Sequence, residues 1–221
     1  MTRIRRRLLA ASLTLLGGVL LSAALLLLIH SQAPAAGAPW ERALLLGLHR
    51  RVTPALWQVA YDVSLLGYPP AIAAVTLLTL LVWGWRRAFW KAGFLLAAVA
   101  GLSLLNYGGK PFFHRPRPAL FPHPFVAGSA FPSGHALFAV GFYGVLAYLA
   151  VAGRGRAARL AGWAAWLVLA LALGLSRLVL GVHWPTDVAA GYAAGGVVLA
   201  ADVVAARRWR ARGEAAGGAE S

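Results

Sequence analysis

The chain has 221 residues, no cysteine, 60% hydrophobic residues, a mean hydropathy of +0.70 and a formal charge of +15. Its length suits one domain, and its hydropathy places it among membrane proteins rather than soluble globular ones. The lack of cysteine excludes disulfides and thiolate metal sites. In a soluble chain this charge would suggest nucleic acid, but the basic residues lie between long apolar runs, so we expect no nucleic-acid partner.

The first apolar run, residues 8–29, follows a basic start at residues 3–7. A secretory signal begins in the same way, and residues 33–38 resemble a cleavage region. The apolar core of a signal, however, is only about 7 to 15 residues long. Because residues 8–29 are long enough to cross a bilayer, we predict an uncleaved first span.

Residues 40–52 follow this span and contain charged residues at both ends of an apolar stretch. Leu44, Leu45, Leu48 and Val52 recur at helical spacing, which predicts a short helix lying on the membrane surface. We expect this helix to pack against the protein. The alternative is that it covers or gates a site on that side.

Five further apolar runs complete an all-α membrane protein of six transmembrane helices in one domain. The spans are predicted at about 59–83, 92–107, 134–152, 160–180 and 186–206. Tyr68, Pro69 and Pro70 predict a kink in the second span or a late start for it. The tail, residues 213–221, is predicted to be disordered.

Six spans place both termini on one side of the membrane. The Lys and Arg residues on that side form groups of four, three, three and four, fourteen in all, against the remaining seven of the 21. The positive-inside rule therefore predicts cytoplasmic termini. The long loop at 108–131 and the turn around His183 then face the extracytoplasmic side of the cell membrane.

Three polar clusters converge on that side, at residues 110–118, 132–135 and 176–187. Within them, Lys110, Arg117 and Arg177 offer three cations, His135 and His183 two imidazoles, and Asp187 one carboxylate. Ionisable groups at the ends of membrane spans are costly unless they have partners and a function. The clusters therefore predict a functional site, and their charge favours an anion.

The donors in these clusters favour phosphate as the anion. Arg117 and Arg177 can each present a planar fork to phosphate oxygens, while Lys110 acts as a point charge. Ser133 and Gly134 begin the fourth span, so their N–H groups are expected to be unpaired donors at a positive helix end. Phosphoryl transfer mainly needs such positioning and charge stabilisation.

His183 and Asp187 are four residues apart at the predicted start of the last helix. That spacing places the carboxylate within one turn of the imidazole. A hydrogen bond to one ring nitrogen would fix the tautomer and leave the other nitrogen free as a base or nucleophile. The alternative is that His183 caps a membrane helix and Asp187 merely lies in its positive first turn.

We expect neither a metal nor a cofactor. The chain has six acidic residues, and Asp187 is the one that belongs to the clusters, whereas two-metal phosphatases need several carboxylates. The histidines at 114, 123, 135 and 183 match no common zinc spacing, and the neighbouring cations would repel a metal ion. His114 and Arg115 are expected to be solvated loop residues, with contact to a second phosphate or a headgroup as the alternative.

Taken in order, Lys-x6-Arg-Pro, Pro-Ser-Gly-His and Ser-Arg-x5-His-x3-Asp resemble the three-part signature of the type 2 phosphatidic acid phosphatase superfamily, which is shared with vanadium haloperoxidases. Every signature position is filled, and the resemblance covers residues 110–187, about a third of the chain. It implies a helical-bundle core like that of these phosphatases and haloperoxidases.

The resemblance also implies a role for each matching residue. His183 would be the nucleophile that forms a phosphohistidine, Asp187 would orient it and raise its basicity, and His135 would protonate the departing oxygen and then activate water. The phosphoryl oxygens would be held by Lys110, Arg117, Ser133, Gly134 and Arg177.

The resemblance thus implies an integral membrane enzyme that hydrolyses a lipid phosphomonoester or pyrophosphate at the outer face. Family members act on phosphatidic acid, phosphatidylglycerol phosphate or undecaprenyl pyrophosphate, and the sequence favours none of these, nor any oligomeric state. A haloperoxidase is a second hypothesis, but those relatives are soluble. A transporter that binds the anion without cleaving it is a third; it would be expected to have helices broken in midmembrane, whereas the ionisable residues here lie at span ends.

Overall fold

The structure is a computed structural model that describes residues 3–123 and 126–217, with side chains described for 4–123 and 126–211. Within these ranges the chain is helical and contains no β-strand. The helices are α1 (Arg3–Gln32), α2 (Pro39–His49), α3 (Pro54–Leu65), α4 (Pro69–Trp85), α5 (Phe89–Ser103), α6 (Gly134–Val151), α7 (Arg156–Val179) and α8 (Pro185–Gly217). A π-helical turn, Leu104–Gly108, and a 3-10 turn, Lys110–Phe112, extend α5.

The helices confirm the predicted all-α membrane protein. Five described helical segments, containing α1, α5 with its extension, α6, α7 and α8, are long and apolar enough to cross a membrane. Helices α3 and α4 provide a sixth crossing if they are taken as one span bent by 47°. The bend lies where Tyr68 precedes two prolines, because proline suits the first turn of a new helix and not the interior of an old one.

Two segments differ in extent from the prediction. Helix α3 begins at Pro54, before the predicted start of the second span at 59. Helix α8 continues to Gly217, into the tail that was predicted to be disordered from residue 213 onward, and the rest of that tail, 218–221, lies outside the described residues. The predicted surface helix at 40–52 corresponds to α2.

Helices α6 and α8 pack with almost no side chain between them. A Cβ atom at Gly191 would lie 2.6 Å from the carbonyl oxygen of Ser133, and one at Gly195 would lie 2.6 Å from that of Leu137. Small residues allow helix backbones to approach this closely in a membrane. The start of α8, which carries Asp187, therefore lies beside the start of α6, which carries His135.

The two chain ends lie at the other end of the bundle. The guanidinium of Arg7 lies 4.2 Å from the centre of the Trp209 ring and donates to the Trp209 carbonyl. This contact joins the beginning of α1 to the last part of α8. The bundle therefore has a terminal end and a site end, and all three polar clusters belong to the site end.

Candidate active site

A buried ion triad underlies the site end. The Arg115 side chain is fully buried and its guanidinium contacts two buried carboxylates, Glu41 at 3.0 Å and Asp187 at 2.6 Å. The same group donates to the Thr186 hydroxyl and to the Pro34 carbonyl. The expectation that Arg115 is a solvated loop residue is therefore wrong. Its side chain is buried and forms ion pairs with two carboxylates from segments far away in the sequence.

Glu41 brings α2 into this triad. Its carboxylate accepts hydrogen bonds from the Ala38 N–H at 2.8 Å, the Thr186 N–H at 3.1 Å and the Thr186 hydroxyl at 2.7 Å. Burial acts to raise the pKa of Glu41, but these hydrogen bonds and the charge of Arg115 outweigh burial and lower it. Helix α2 thus packs against the protein, as expected, and also supplies an ionised carboxylate beneath the site.

Sequence reasoning missed Glu41, although a signal was present. Glu41, Leu45 and Leu48 are spaced at i, i+4 and i+7, so the glutamate belongs to the same helix face as the leucines. Glu41 and Leu45 are both completely buried. A carboxylate on the apolar face of an amphipathic helix requires a buried cation as its partner.

His183 lies in the turn between α7 and α8. Its Nδ1 is 2.7 Å from the Ala130 carbonyl oxygen, and since a carbonyl only accepts, this contact places the proton on Nδ1. In the neutral ring, Nε2 then carries the lone pair. Nε2 lies 3.3 Å from a guanidinium nitrogen of Arg117, which can donate to it.

Asp187 does not make the hydrogen bond to His183 that its spacing predicts. Its Oδ2 is 3.6 Å from His183 Nδ1 and instead accepts the Trp184 N–H at 2.8 Å. The carbonyl of Ala130 therefore fixes the tautomer of His183. Asp187 fixes the turn that carries the histidine, and its charge lies close to the ring.

The protein surroundings keep the His183 ring neutral. Burial lowers the pKa of His183 well below its ordinary value of 6.5, and the charges of Arg117, Arg177, Lys110 and His135 lower it further. These interactions also show that groups from all three predicted clusters act on one imidazole. Nε2 therefore keeps its lone pair at neutral pH, facing the Arg117 guanidinium.

Arg117 is held by the backbone of the loop and the turn. It donates to the carbonyls of Val126 at 3.0 Å and Val182 at 2.8 Å, with longer contacts to those of Ala127 and Ser129. A guanidinium fixed in this way loses little conformational freedom when it binds a ligand. It is thus a rigid cation beside His183.

The break between α3 and α4 positions His135. A Cβ atom at Gly67 would lie 2.3 Å from a ring carbon of His135, so only glycine allows the imidazole to lie against the backbone there. The Tyr68 ring stands edge-on to the imidazole, with 5.0 Å between ring centres. Nε2 of His135 is buried and has no hydrogen-bond partner among the described residues.

Arg177 lies in the last turn of α7 and is only 1% exposed. In the described part of the chain its Nε and Nη1 atoms also lack partners. A buried guanidinium with unpaired donors is unfavourable unless an anion can meet them. Arg177 and His135 therefore provide buried polar nitrogens that a bound phosphate could satisfy.

The start of α6 differs in part from the prediction. The Ser133 N–H, expected to be an unpaired donor, instead donates to the Asp187 carbonyl at 3.0 Å. Gly134 is the first residue of α6, where the helix itself offers no acceptor for its N–H. A Cβ atom on Gly134 would lie 2.6 Å from Oδ1 of Asn106, a buried residue that sequence reasoning missed.

Metal-binding groups do not gather at this site. Across residues 3–123 and 126–217, no group of three or more His, Cys, Asp or Glu side chains is arranged to hold a metal ion. Asp187 and Glu41 are instead engaged by Arg115.

A family model and two curated proteins match parts of this chain. The family model described as the PAP2 superfamily matches residues 91–211. Phosphatidylglycerophosphatase B of Bacillus subtilis is 35% identical over 117 residues, which are 49% of this chain and 55% of that protein. The bacitracin transport permease protein BcrC of Bacillus licheniformis is 43% identical over 65 residues, 28% of this chain and 27% of that protein. The matched segments thus span about half, or less, of the curated relatives.

Two crystal structures share the fold. A transmembrane PAP2 type phosphatidylglycerolphosphate phosphatase from Bacillus subtilis has a TM-score of 0.72 at 24% identity, covering 86% of this chain and 94% of that chain. Aquifex aeolicus LpxE has a TM-score of 0.59 at 23% identity, covering 73% and 93%. With a family model that covers more than half of the sequence, this chain belongs to the PAP2 superfamily.

Proposed function

We propose that this protein is an integral membrane phosphatase that hydrolyses a lipid phosphomonoester or pyrophosphate through a phosphohistidine on His183, without a metal ion. One observation carries the proposal. A neutral His183, with its lone pair on Nε2, lies beside the fixed cation Arg117. In the same pocket, Nε and Nη1 of Arg177 and Nε2 of His135 are buried without partners among the described residues. Such a pocket is complementary to a phosphoryl group that is attacked by nitrogen.

The first step forms the bond between His183 Nε2 and phosphorus and breaks the bond between phosphorus and the lipid oxygen. Lys110, Arg117 and Arg177 stabilise the charge on the phosphoryl oxygens. The N–H of Gly134 and the hydroxyl of Ser133 add donors at the start of α6. His135, on α6, gives a proton to the departing oxygen. The negative charge of the bound substrate favours the protonated imidazole that this step requires.

In the second step water attacks phosphorus and the bond to His183 breaks. His135, now neutral, accepts a proton from that water, and phosphate leaves. Asp187 contributes by holding the turn and by placing negative charge near His183, while Ala130 keeps the ring in the reactive tautomer.

Two adjoining cavities support a lipid substrate. An apolar groove of about 360 Å³ lies between α4 and α5 and includes Gly67, which touches His135. A more polar cavity of about 510 Å³ includes Lys110 and His114. Tyr107 lines both cavities, so a molecule with a polar head and an apolar tail could occupy the two together.

We further propose that the active site faces the extracytoplasmic side of the cytoplasmic membrane. The basic residues cluster at the terminal end of the bundle, which the positive-inside rule assigns to the cytoplasm. Blocking or cleaving an engineered tag at either terminus from outside intact cells would contradict this orientation.

A direct assay tests the function. Purified protein is incubated in excess chelator with phosphatidic acid, phosphatidylglycerol phosphate and a polyprenyl pyrophosphate, and released phosphate is measured. We expect hydrolysis of at least one substrate and none by His183→Ala or His135→Ala. Binding without phosphate release would indicate a carrier, and loss of activity in chelator would contradict the metal-free mechanism.

A labelling experiment tests the intermediate. Substrate carrying a radioactive phosphoryl group is mixed with the protein and quenched within one turnover. We expect acid-labile, protein-bound phosphate in the unaltered protein and none in His183→Ala. Equal labelling of the two proteins would refute His183 as the nucleophile while leaving the phosphatase activity itself in place.

A further inference from the structure

A second apolar groove lies at the terminal end of the bundle, far from the reacting residues. It has a volume of about 440 Å³ and runs between α1 and α5, with α8 closing one end. We call it the terminal groove. Its lining includes Leu8, Leu15, Phe89, Gly93, Phe94 and Trp209.

The groove is deep at Gly93 because glycine has no side chain to fill it. No atom lies within 4 Å of the position that a Cβ would take on Gly93, so this residue leaves open space between the helices. Leu8 and Phe89 form exposed walls, with 52% and 66% of their surfaces accessible. An open, apolar slot that follows the helix axes suits an extended hydrocarbon chain.

The closed end of the groove is cationic. Arg7 lies across the Trp209 ring, and its Nε atom is buried with no partner in the described part of the chain. The Lys91 ammonium lies nearby over the Trp90 ring, 5.7 Å from its centre. Arginine and tryptophan at the boundary of a membrane span are residues that contact lipid headgroups.

Charge makes this end selective for anions. The basic groups at 3–7, 86–91, 154–159 and 207–212 contain fourteen Lys and Arg residues. Among the side chains that the structure describes in the second half of α8, Asp202 is the acidic one, and it is buried. Basic residues close to a membrane surface attract anionic lipid headgroups.

We propose that the terminal groove binds an anionic phospholipid from the leaflet on the side of the chain termini. One acyl chain lies along α1 and α5 over Gly93, and the phosphate meets Arg7. The ligand is a phosphodiester of the bilayer and not the substrate of the active site, so this site does not depend on the proposed function.

Lipid binding to the purified full chain tests the proposal. Phosphatidylserine and phosphatidylcholine with identical acyl chains are titrated separately into detergent solution, and bound lipid is counted by native mass spectrometry. Phosphatidylserine should bind the unaltered protein at least tenfold more tightly than phosphatidylcholine. Equal binding of the two lipids would overturn the proposal.

Matched variants locate the site. Gly93→Leu fills the groove and should weaken phosphatidylserine binding about tenfold. Gly84→Leu is the control, because Gly84 is also a helical glycine with no atom within 4 Å of its Cβ position, and it lies outside the groove. Arg7→Gln tests the headgroup contact without filling the groove and should reduce the preference for phosphatidylserine. If either groove variant bound phosphatidylserine as well as Gly84→Leu, the assignment would be wrong.

Discussion

Replacing Arg115 with leucine should show how strongly the ion triad supports the active site. The change removes the cation between Glu41 and Asp187, whose side chains are both 0% exposed. It also removes the donors to the Thr186 hydroxyl and the Pro34 carbonyl. Two carboxylates would then remain buried without their shared partner.

The expected cost follows from that geometry. Breaking a buried ion pair by deleting one partner costs about 3 to 5 kcal/mol, because the remaining charge stays desolvated. Here one deletion leaves two charges, so we expect the free energy of unfolding of Arg115→Leu to fall by at least about 3 kcal/mol. Turnover should fall as well, because Asp187 also accepts the Trp184 N–H beside His183.

Thermal unfolding in detergent and phosphate release measure the two effects. Arg42→Leu is the matched control, since Arg42 is exposed and donates only to the Ala36 carbonyl among the contacts seen. Adding Glu41→Gln to Arg115→Leu removes one of the two orphaned charges and should recover part of the lost stability. If Arg115→Leu lay within about 1 kcal/mol of Arg42→Leu, the triad would not support the site as we argue.

Three further variants test separate features of the structure. Because folding lowers the pKa of His183 below its ordinary value of 6.5, protonation favours the unfolded chain, so stability should be complete above that pH and decline as the pH falls below it. In His183→Asn, whose amide can still donate to the Ala130 carbonyl, the melting temperature should decline less between pH 7 and pH 5. If the decline were the same in both proteins, groups other than His183 would be its cause. Gly67→Ala should displace His135 and lower turnover about 100-fold. Gly84→Ala, with open space at its Cβ position, is the control and should leave turnover unaltered. Equal activity of the two variants would contradict the contact between Gly67 and His135. Asp202→Val should raise the free energy of unfolding by about 1 to 3 kcal/mol, because both carboxyl oxygens of this buried residue lack partners among the described residues. Asp202→Asn keeps polar atoms at the same place and should not raise it.

Much of the architecture could be predicted from local patterns. Apolar runs long enough for a bilayer predicted the membrane helices. The two prolines after Tyr68 predicted a kink or a late start of the second span, and the structure shows the bend between α3 and α4. The ordered signature from Lys110 to Asp187 predicted the family, because its spacing is a property of the chain that needs no coordinates. The proposed roles of the individual signature residues rest on the same pattern.

What the sequence alone determined, therefore, is the class of protein, the approximate positions of its apolar helices and the signature residues of the candidate site. The tertiary structure decided which of these residues contact each other. Arg115 pairs with Glu41 and Asp187, which are 74 and 72 residues away in the sequence, and His183 donates to the carbonyl of Ala130, 53 residues away. Spacing rules reach only one helical turn, so they predicted Asp187 as the hydrogen-bond partner of His183. Arg115 was expected to be solvated because it lies in a polar loop. Burial changes both outcomes, because a charge or polar group removed from water must take the partner that packing places beside it.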